Sequence, residues 1–217
     1  MTSPTLLEPR RKPKQERARQ AVAAIEQACI KILEQEGPQH LTTTRIAEVA
    51  GVNVGSLYQY FPNKEAIVAA VFAAKLAADA EALVLRTRGI DAIARHSLEE
   101  TLRAVIHSEI EMHRSFSRLN EQFYGRHHSA FDLLKATNER AAAHGQPSLD
   151  AWFPRVLERH RKHLRVTDIA LASALVTRTI AAAMRYAIEE RPDLLDSAAF
   201  AEELLVLLLR YLEADPS

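Results

Sequence analysis

Residues 54–60 form a short stretch whose side chains could hydrogen-bond to a nucleic acid. Four of them offer a closely approachable backbone, a hydroxyl, a phenol and an amide: Gly55, Ser56, Tyr58 and Gln59. At about 100° per residue, Leu57 and Phe61 share one side of a helix, so Gly55 and Gln59 point away from it. The outer side carries no carboxylate to repel a polyanion. The pattern predicts a surface for bases and phosphates, and the alternative is an ordinary solvated polar face.

The histidines are a second group of candidate functional residues, because their side chains could bind a metal. Six of the nine occur in three close pairs: His107 and His113, His127 and His128, and His160 and His163. The last pair is predicted to lie one turn apart on a helix, but a metal site would need further ligands from elsewhere. Arg159, Arg161 and Lys162 surround it with positive charge, which repels cations. We therefore predict solvated histidines, with no metal and no cofactor.

The only cysteine, Cys29, lies on an apolar stripe of a predicted helix. A free cysteine in such a place usually behaves as a small buried hydrophobe, and redox sensing is the alternative. A single cysteine also excludes an intrachain disulfide. We therefore predict a core position for Cys29.

Positive charge is concentrated at the N-terminus although the chain as a whole is neutral. Lys plus Arg and Asp plus Glu each number 28, whereas residues 1–19 hold six basic and two acidic residues. Such a local excess can contact phosphates. The alternative is a solvated leader over residues 1–13, where three prolines and few apolar groups predict disorder.

Four helices are predicted to position the polar stretch, over residues 14–36, 45–50, 54–61 and 64–87. The first ends at Gly37-Pro38, because glycine takes the left-handed cap position and proline cannot continue a helix. Thr42-Thr43-Thr44 offers hydroxyl caps for the second helix. Gly51-Val52-Asn53 forms a tight turn, with Asn53 capping the third helix. Two short helices joined by a glycine turn between longer ones are typical of a helix-turn-helix.

Residues 41–65 closely resemble the DNA-binding segment of the tetracycline-repressor (TetR) family of bacterial regulators. The resemblance is carried by an ordered set of short matches: Ile46-Ala47, Ala50-Gly51-Val52, Leu57-Tyr58, Tyr60-Phe61 and Lys64-Glu65. With the first helix it covers about a quarter of the chain. The rest of the chain is similar to the family only in its helical pattern and its length.

The resemblance implies a DNA-contact role for individual residues. Thr43 and Thr44 match positions that contact phosphate and, at Thr44, often a base. Tyr58, Tyr60 and Lys64 match positions that hold the phosphate backbone. The positions that read bases are occupied here by Val54, Gly55, Ser56 and Gln59. Since Val54 and Gly55 lack polar side chains, we expect them to pack against thymine methyl groups, with Ser56, Gln59 and Thr44 or Arg45 supplying polar readout and Asn53 at the cap.

One short recognition helix reads few base pairs, so a dimer on a palindromic operator is expected. The helices over about 168–190 and 197–213 are the predicted dimer interface. The first has a stripe of small and apolar residues that includes Ala172, Val176 and Ile180, and residues 204–209 of the second are apolar on every side. A helix without a polar face must be covered all round. Complete burial inside a monomer is the alternative, and the family resemblance favours the dimer.

The region between about 97 and 165 is the predicted sensor of a small-molecule effector. Ser97 to Glu100 reads as a capping box for a helix to about Arg114, and another helix is expected to restart near Pro154. Aromatic residues with a few polar groups could line a cavity, and the alternative is an ordinary core. The candidate ligand-binding residues are His107, Glu111, Phe116, Asn120, Phe123, Trp152 and Arg178.

The composition and the positions of helix-ending and capping residues together predict an all-α protein. The predicted protein has a leader over 1–13, a helix-turn-helix domain over 14–63 and a helical sensing and dimerisation domain over 64–217. Only six glycines occur in 217 residues. No apolar run is long enough for a bilayer and no signal-peptide pattern is present, which predicts a cytoplasmic protein that does not contact membranes.

The expected function is a DNA-binding transcriptional regulator, implied to be a repressor that a small molecule releases from its operator. A metal-dependent helical hydrolase using the histidines is a second hypothesis. It lacks a His-Glu-x-x-His element, a nucleophile elbow and a phosphate loop, so we predict no enzyme activity. A helical adaptor that binds protein alone is a third, and it leaves the polar outer side of residues 55–59 unexplained.

Overall fold

The computed structural model describes residues 7–9, 15–131, 133–145 and 148–214, without the side chains of 83–91, 133–134 and 149–150. The described chain is α-helical, and its bounds are α1 Glu16–Gln35, α2 Thr43–Ala50, α3 Val54–Tyr60, α4 Lys64–Ile93, α5 Leu98–His127, α6 Leu133–Ala143, α7 Leu149–Arg159, α8 Ile169–Glu189 and α9 Ala198–Leu212. The all-α prediction is confirmed for these residues. The predicted leader over 1–13 lies, except for 7–9, outside them.

Two compact units divide the chain. The first comprises residues 1–77 with 118–123, and the second comprises 78–117 with 124–217. The first unit extends past residue 63, where we placed the domain boundary, because Ala66, Ile67 and Phe72 of α4 are fully buried. Phe72 packs against Phe123 within this unit, with ring centroids 5.1 Å apart.

Local caps fix the short helices of the first unit. The backbone N–H of Arg45 donates to Thr42 Oγ1 (3.1 Å), which starts α2 at Thr43 rather than at the predicted Arg45. Gly51 ends α2 in the left-handed region, at φ 67°. The N–H of Gly55 donates to Asn53 Oδ1 (2.7 Å), which confirms the predicted cap of α3.

The core of the first unit comes from the apolar faces of these helices. Ile25, Cys29 and Ile32 of α1 are fully buried, and so are Ile46 of α2 and Leu57 of α3. Truncating a fully buried Leu or Ile to Ala typically costs about 2–5 kcal/mol, so each of these contacts holds a substantial part of the stability of a small domain. Burial of Cys29 confirms its predicted core position.

Longer helices depart from their predicted ends. The helix α4 continues to Ile93 instead of Thr87, and α5 continues to His127 instead of Arg114. Asn120 interrupts α5 with extended backbone, at φ −162° and ψ 93°. The N–H of Phe123 donates to Asn120 Oδ1 (3.0 Å), so this side chain caps the restarted helix. The sequence shows no glycine or proline there, which is why the break was missed.

The helix α7 starts earlier than predicted. It begins at Leu149, because Ser148 Oγ accepts from the N–H of Ala151 (3.2 Å), and Pro154 lies inside it. It ends at Arg159 and a 3-10 turn covers Arg161–His163, so the prediction that His160 and His163 lie one turn apart on one helix was wrong.

Candidate nucleic-acid interface and effector cavity

The outer side of α3 has the orientation that the sequence predicts. Leu57 and Phe61 are fully buried, whereas Gly55, Tyr58 and Gln59 are exposed and Ser56 is half-buried. None of the seven residues of α3, Val54–Tyr60, is charged. The exposed side therefore offers a hydroxyl, a phenol and an amide with no desolvation of a charged group and no repulsion of phosphate.

Residues predicted to contact phosphate meet at the start of α2. Thr43 Oγ1 and Tyr58 Oη lie 3.0 Å apart, within hydrogen-bond distance, so the N-terminus of α2 and the outer side of α3 share one patch. Thr44 is exposed next to them. Two adjacent hydroxyls at a helix N-terminus suit an anion, because the first N–H groups of the helix also point there.

The remaining predicted contacts lie at the edges of this patch. The exposed Lys64, at the start of α4, donates from Nζ to the carbonyl of Leu41 (3.3 Å), which anchors the ammonium near α2. Val54 and Tyr60 are half-buried. Asn53 is exposed, and its side-chain oxygen is used by the cap of α3.

Arg45 has a structural partner set that sequence reasoning missed. Its guanidinium donates to both carboxylate oxygens of Glu36 (3.1 and 2.8 Å) and to Glu48 (2.9 Å). The hydrogen bonds to these carboxylates raise the pKa of Arg45, and the hydrogen bond from Arg45 lowers the pKa of Glu36. Arg45 thus ties α2 to the end of α1, and we leave it out of the base-reading set.

A cavity of about 120 Å³ lies among α5, α7 and α8 in the second unit. Val105 and Glu109 line it from α5, and Trp152 and Phe153 line it from α7. The α8 side consists of Val176, Thr177, Ile180 and Ala181. The walls are therefore apolar apart from one hydroxyl, one indole N–H and one carboxyl, the composition of a small-molecule site.

Only Trp152 among the predicted ligand-binding residues lines this cavity. Phe116 and Phe123 are buried elsewhere, and Asn120 caps the break in α5. His107 and Arg178 are exposed, and so is Glu111, which pairs with Arg114. Glu109 was missed, although Leu98, Leu102, Val105 and Glu109 follow steps of four and three, which place a carboxyl on the apolar side of α5.

Comparison with known proteins decides the family. The family model "Bacterial regulatory proteins, tetR family" matches residues 25–71, which hold the interface described above. The model "Tetracyclin repressor-like, C-terminal domain" matches residues 97–212, more than half of the chain. The chain belongs to the TetR family. It is therefore a DNA-binding transcriptional regulator, as the resemblance implied.

Solved structures share the fold of this TetR-family chain at low identity. A TetR-family regulator from Streptomyces coelicolor is 20% identical with a TM-score of 0.51, covering 89% of this chain and 96% of that one. The Thermus thermophilus FadR repressor in complex with lauroyl-CoA is 18% identical with a TM-score of 0.50, covering 90% and 97%. No curated protein matches the chain.

The outer faces of α8 and α9 in this regulator are unusually apolar. Exposed large apolar side chains include Leu171 (56%), Leu175 (45%) and Tyr186 (52%) on α8, and Val206 (41%) and Leu207 (55%) on α9. Ala172, Val176 and Ile180, which we predicted for the partner, are instead buried inside the chain. The stripe was assigned to the wrong side because periodicity alone does not say which of two apolar faces the chain covers itself.

The histidines of the regulator lie in different surroundings. His113 and His128 are half-buried next to Tyr124, so the prediction of solvated histidines was wrong for these two. Across the described ranges, no three His, Cys, Asp or Glu side chains come together as a metal site would require. His160 Nε2 bonds to the carbonyl of Ala94 (2.9 Å), while His163 is exposed. None of the described helices is long and apolar enough to cross a bilayer.

Proposed function

We propose that this TetR-family regulator is a repressor that binds a palindromic operator as a homodimer and leaves it when a small molecule fills the cavity of the second unit. The proposal of DNA binding rests on the outer side of α3. Gly55, Ser56 and Gln59 lie on that side, and no residue of the helix is charged. We assign base reading to Val54, Gly55, Ser56, Gln59 and Thr44. We assign phosphate contact to Thr43, Tyr58, Tyr60 and Lys64.

The dimer is proposed to form through the outer faces of α8 and α9. Leu171 and Leu175 lie one turn apart on α8 and expose apolar surface that water solvates poorly, as does Leu207 on α9. Exposed apolar patches on soluble proteins often mark sites of protein association. A dimer supplies two α3 helices for one DNA duplex. Each α3 is only about two turns long, so two copies in successive major grooves give the specificity that one cannot.

The effector part rests on the cavity among α5, α7 and α8. A ligand shifts the regulator only to the extent that it binds the DNA-free state better than the DNA-bound state. We propose that this difference comes from a cavity whose shape differs between the two states. We place this action on DNA in the cytoplasm as part of the proposal, and no catalytic step is proposed.

In vitro selection tests the operator proposal. The protein is incubated with a pool of random duplexes and with its own upstream intergenic DNA, and the bound molecules are sequenced. We expect one enriched motif with two-fold symmetry, its half-sites about one helical turn apart. Recovery of unpatterned sequences at every round would contradict the proposal.

One double variant tests the phosphate contacts on the recovered operator. Tyr58→Phe combined with Lys64→Ala should weaken binding to the operator and to unrelated duplexes alike. An unchanged affinity for both kinds of DNA would contradict the assigned docking.

A further inference from the structure

The cavity among α5, α7 and α8 contains a single carboxyl, that of Glu109. The rest of the wall is contributed by aromatic and aliphatic side chains with the hydroxyl of Thr177. A carboxylate in apolar surroundings is costly unless a partner stabilises it, and burial of all but 28% of the Glu109 side chain raises its pKa to about 7. The position therefore calls for a donor or a cation opposite the carboxyl.

The protein supplies only a weak partner for this carboxyl. Within the described residues, His113 is the one basic side chain near it, with Nε2 at 3.7 Å from Glu109 Oε2, beyond hydrogen-bond distance. Burial, with a smaller effect of His128, lowers the pKa of His113 to about 4. The imidazole is therefore neutral near pH 7 and brings no positive charge to Glu109.

Tyr124 fixes the orientation of that imidazole. Tyr124 Oη lies 2.5 Å from His113 Nδ1, and burial, with the charge of Glu109, raises the pKa of Tyr124, so the phenol keeps its proton. When the phenol donates to Nδ1, the neutral ring carries its proton on Nε2, the nitrogen that lies 3.7 Å from Glu109 Oε2. The α7 and α8 walls add no titratable group. His113 and Tyr124, both neutral near pH 7, therefore bring no positive charge to Glu109.

Aromatic rings complete the site. Trp152 and Phe153 line the same cavity, with ring centroids 6.2 Å apart. The negative face of an indole attracts a cation, and the ring edge packs against an apolar body. Together, a carboxylate and an indole in one small apolar cavity favour positive charge over neutral or negative groups.

We propose that the effector of this regulator is a compact organic cation, an apolar body carrying a protonated amine that pairs with Glu109 inside the cavity. The inference rests on the proposed function for the idea that the cavity is the effector site. The binding itself is a property of the free protein and is tested without DNA.

A titration with three probes of one shape tests the charge preference. The probes are 2-phenylethylammonium, 2-phenylethanol and phenylacetate, and the readout is the fluorescence of Trp152, the only tryptophan of the chain, which lies in the cavity wall. A charge-assisted bond in an apolar site predicts that the ammonium binds about tenfold tighter than the alcohol, and the carboxylate weakest. Equal affinities, a preference for the carboxylate, or no saturable signal with the ammonium would overturn the proposal.

Two variants on α5 locate the effect. Glu109→Gln keeps the shape and removes the charge, so the ammonium should lose its advantage over the alcohol. Glu111→Gln is the matched control, since Glu111 is exposed and paired with Arg114. An unchanged preference in Glu109→Gln, with helical content confirmed by circular dichroism, would overturn the proposal.

A measurement on the unmodified protein keeps the test valid if Glu109→Gln does not fold. The affinity for the ammonium should rise as pH increases through 7, because the carboxyl ionises, while that for the alcohol stays flat. A flat profile for both overturns the proposal. DNA binding is measured separately, so normal operator binding with no charge preference defeats this inference alone, whereas absent operator binding defeats the proposed function.

Discussion

Gln59 is the residue of α3 best suited to read a base. Its amide is exposed on the outer side and can donate and accept at once, as an adenine edge requires. Gln59→Ala should therefore reduce discrimination at one base pair per half-site by about 1–3 kcal/mol. The check is a set of single-base operator variants titrated with both proteins. Gln27→Ala, at an exposed glutamine of α1, is the control. An unchanged base preference in Gln59→Ala would show that Gln59 does not read a base.

Glu109 and His113 should give the protein opposing responses to acid. The pKa of Glu109 rises from 4.5 to about 7 on folding, so its stabilising contribution is present at low pH and is lost as pH rises through 7. The pKa of His113 falls from 6.5 to about 4, so its contribution is present above 6.5 and is lost as pH falls toward 4. Between about pH 5 and pH 6.5 the two effects oppose each other.

Glu109→Gln should expose the acid sensitivity due to His113. With the carboxyl gone, we expect the free energy of unfolding to fall more steeply between about pH 7 and about pH 5 than in the unmodified protein. Urea denaturation at the two pH values measures the difference, with Glu111→Gln as control. Parallel pH profiles for Glu109→Gln and the unmodified protein would show that folding does not raise the pKa of Glu109.

At the scale of elements, the turn between α2 and α3 depends on one glycine. Gly51 has φ 67°, and a Cβ added there meets nothing within 4 Å, so the cost of substitution is backbone strain alone. Gly51→Ala should cost about 1–2 kcal/mol and Gly51→Asn less, since asparagine tolerates the left-handed region. Thermal unfolding of both variants provides the check. Equal melting temperatures for Gly51→Ala and the unmodified protein would contradict the strain argument.

Elements held by local signals could be predicted from the sequence. Thr42, Gly51 and Asn53 act on backbone groups within three or four residues, so the two short helices and the exposed side of α3 follow from the chain itself. The start of α2 differed by two residues, because three consecutive threonines offer three caps and only the structure shows that Thr42 is used.

Features that depend on distant residues could not be predicted in this way. The break at Asn120 lies in the part of α5 that belongs to the first unit, and no glycine or proline marks it in the sequence. The cavity forms only where α5, α7 and α8 lie side by side. Trp152 was predicted as a ligand-binding residue because it is aromatic, whereas Glu109 was missed. The ion pair between Arg45 and Glu36 could not be predicted, because Glu36 lies nine residues away at the end of α1.

At the scale of the whole molecule, assembly should depend on the outer faces of α8 and α9. Leu175→Glu or Leu207→Glu would place a charge in the proposed interface, and burying an unpaired charge is prohibitive, so we expect a monomer. Light scattering coupled to size exclusion gives the mass. Ile93→Glu, at an exposed apolar residue of α4, is the control, and a dimer in both α8 and α9 variants would place the interface elsewhere.

Sequence-specific DNA binding by two copies of α3 is the central claim, and an anisotropy titration tests it most directly. The selected operator and a base-scrambled duplex are titrated with the protein at two salt concentrations, and the number of chains per duplex is determined. We predict that two chains bind per operator, with an affinity about a thousandfold or more above that for the scrambled duplex, and that salt weakens both. Equal affinity for the two duplexes at both salt concentrations would contradict the claim.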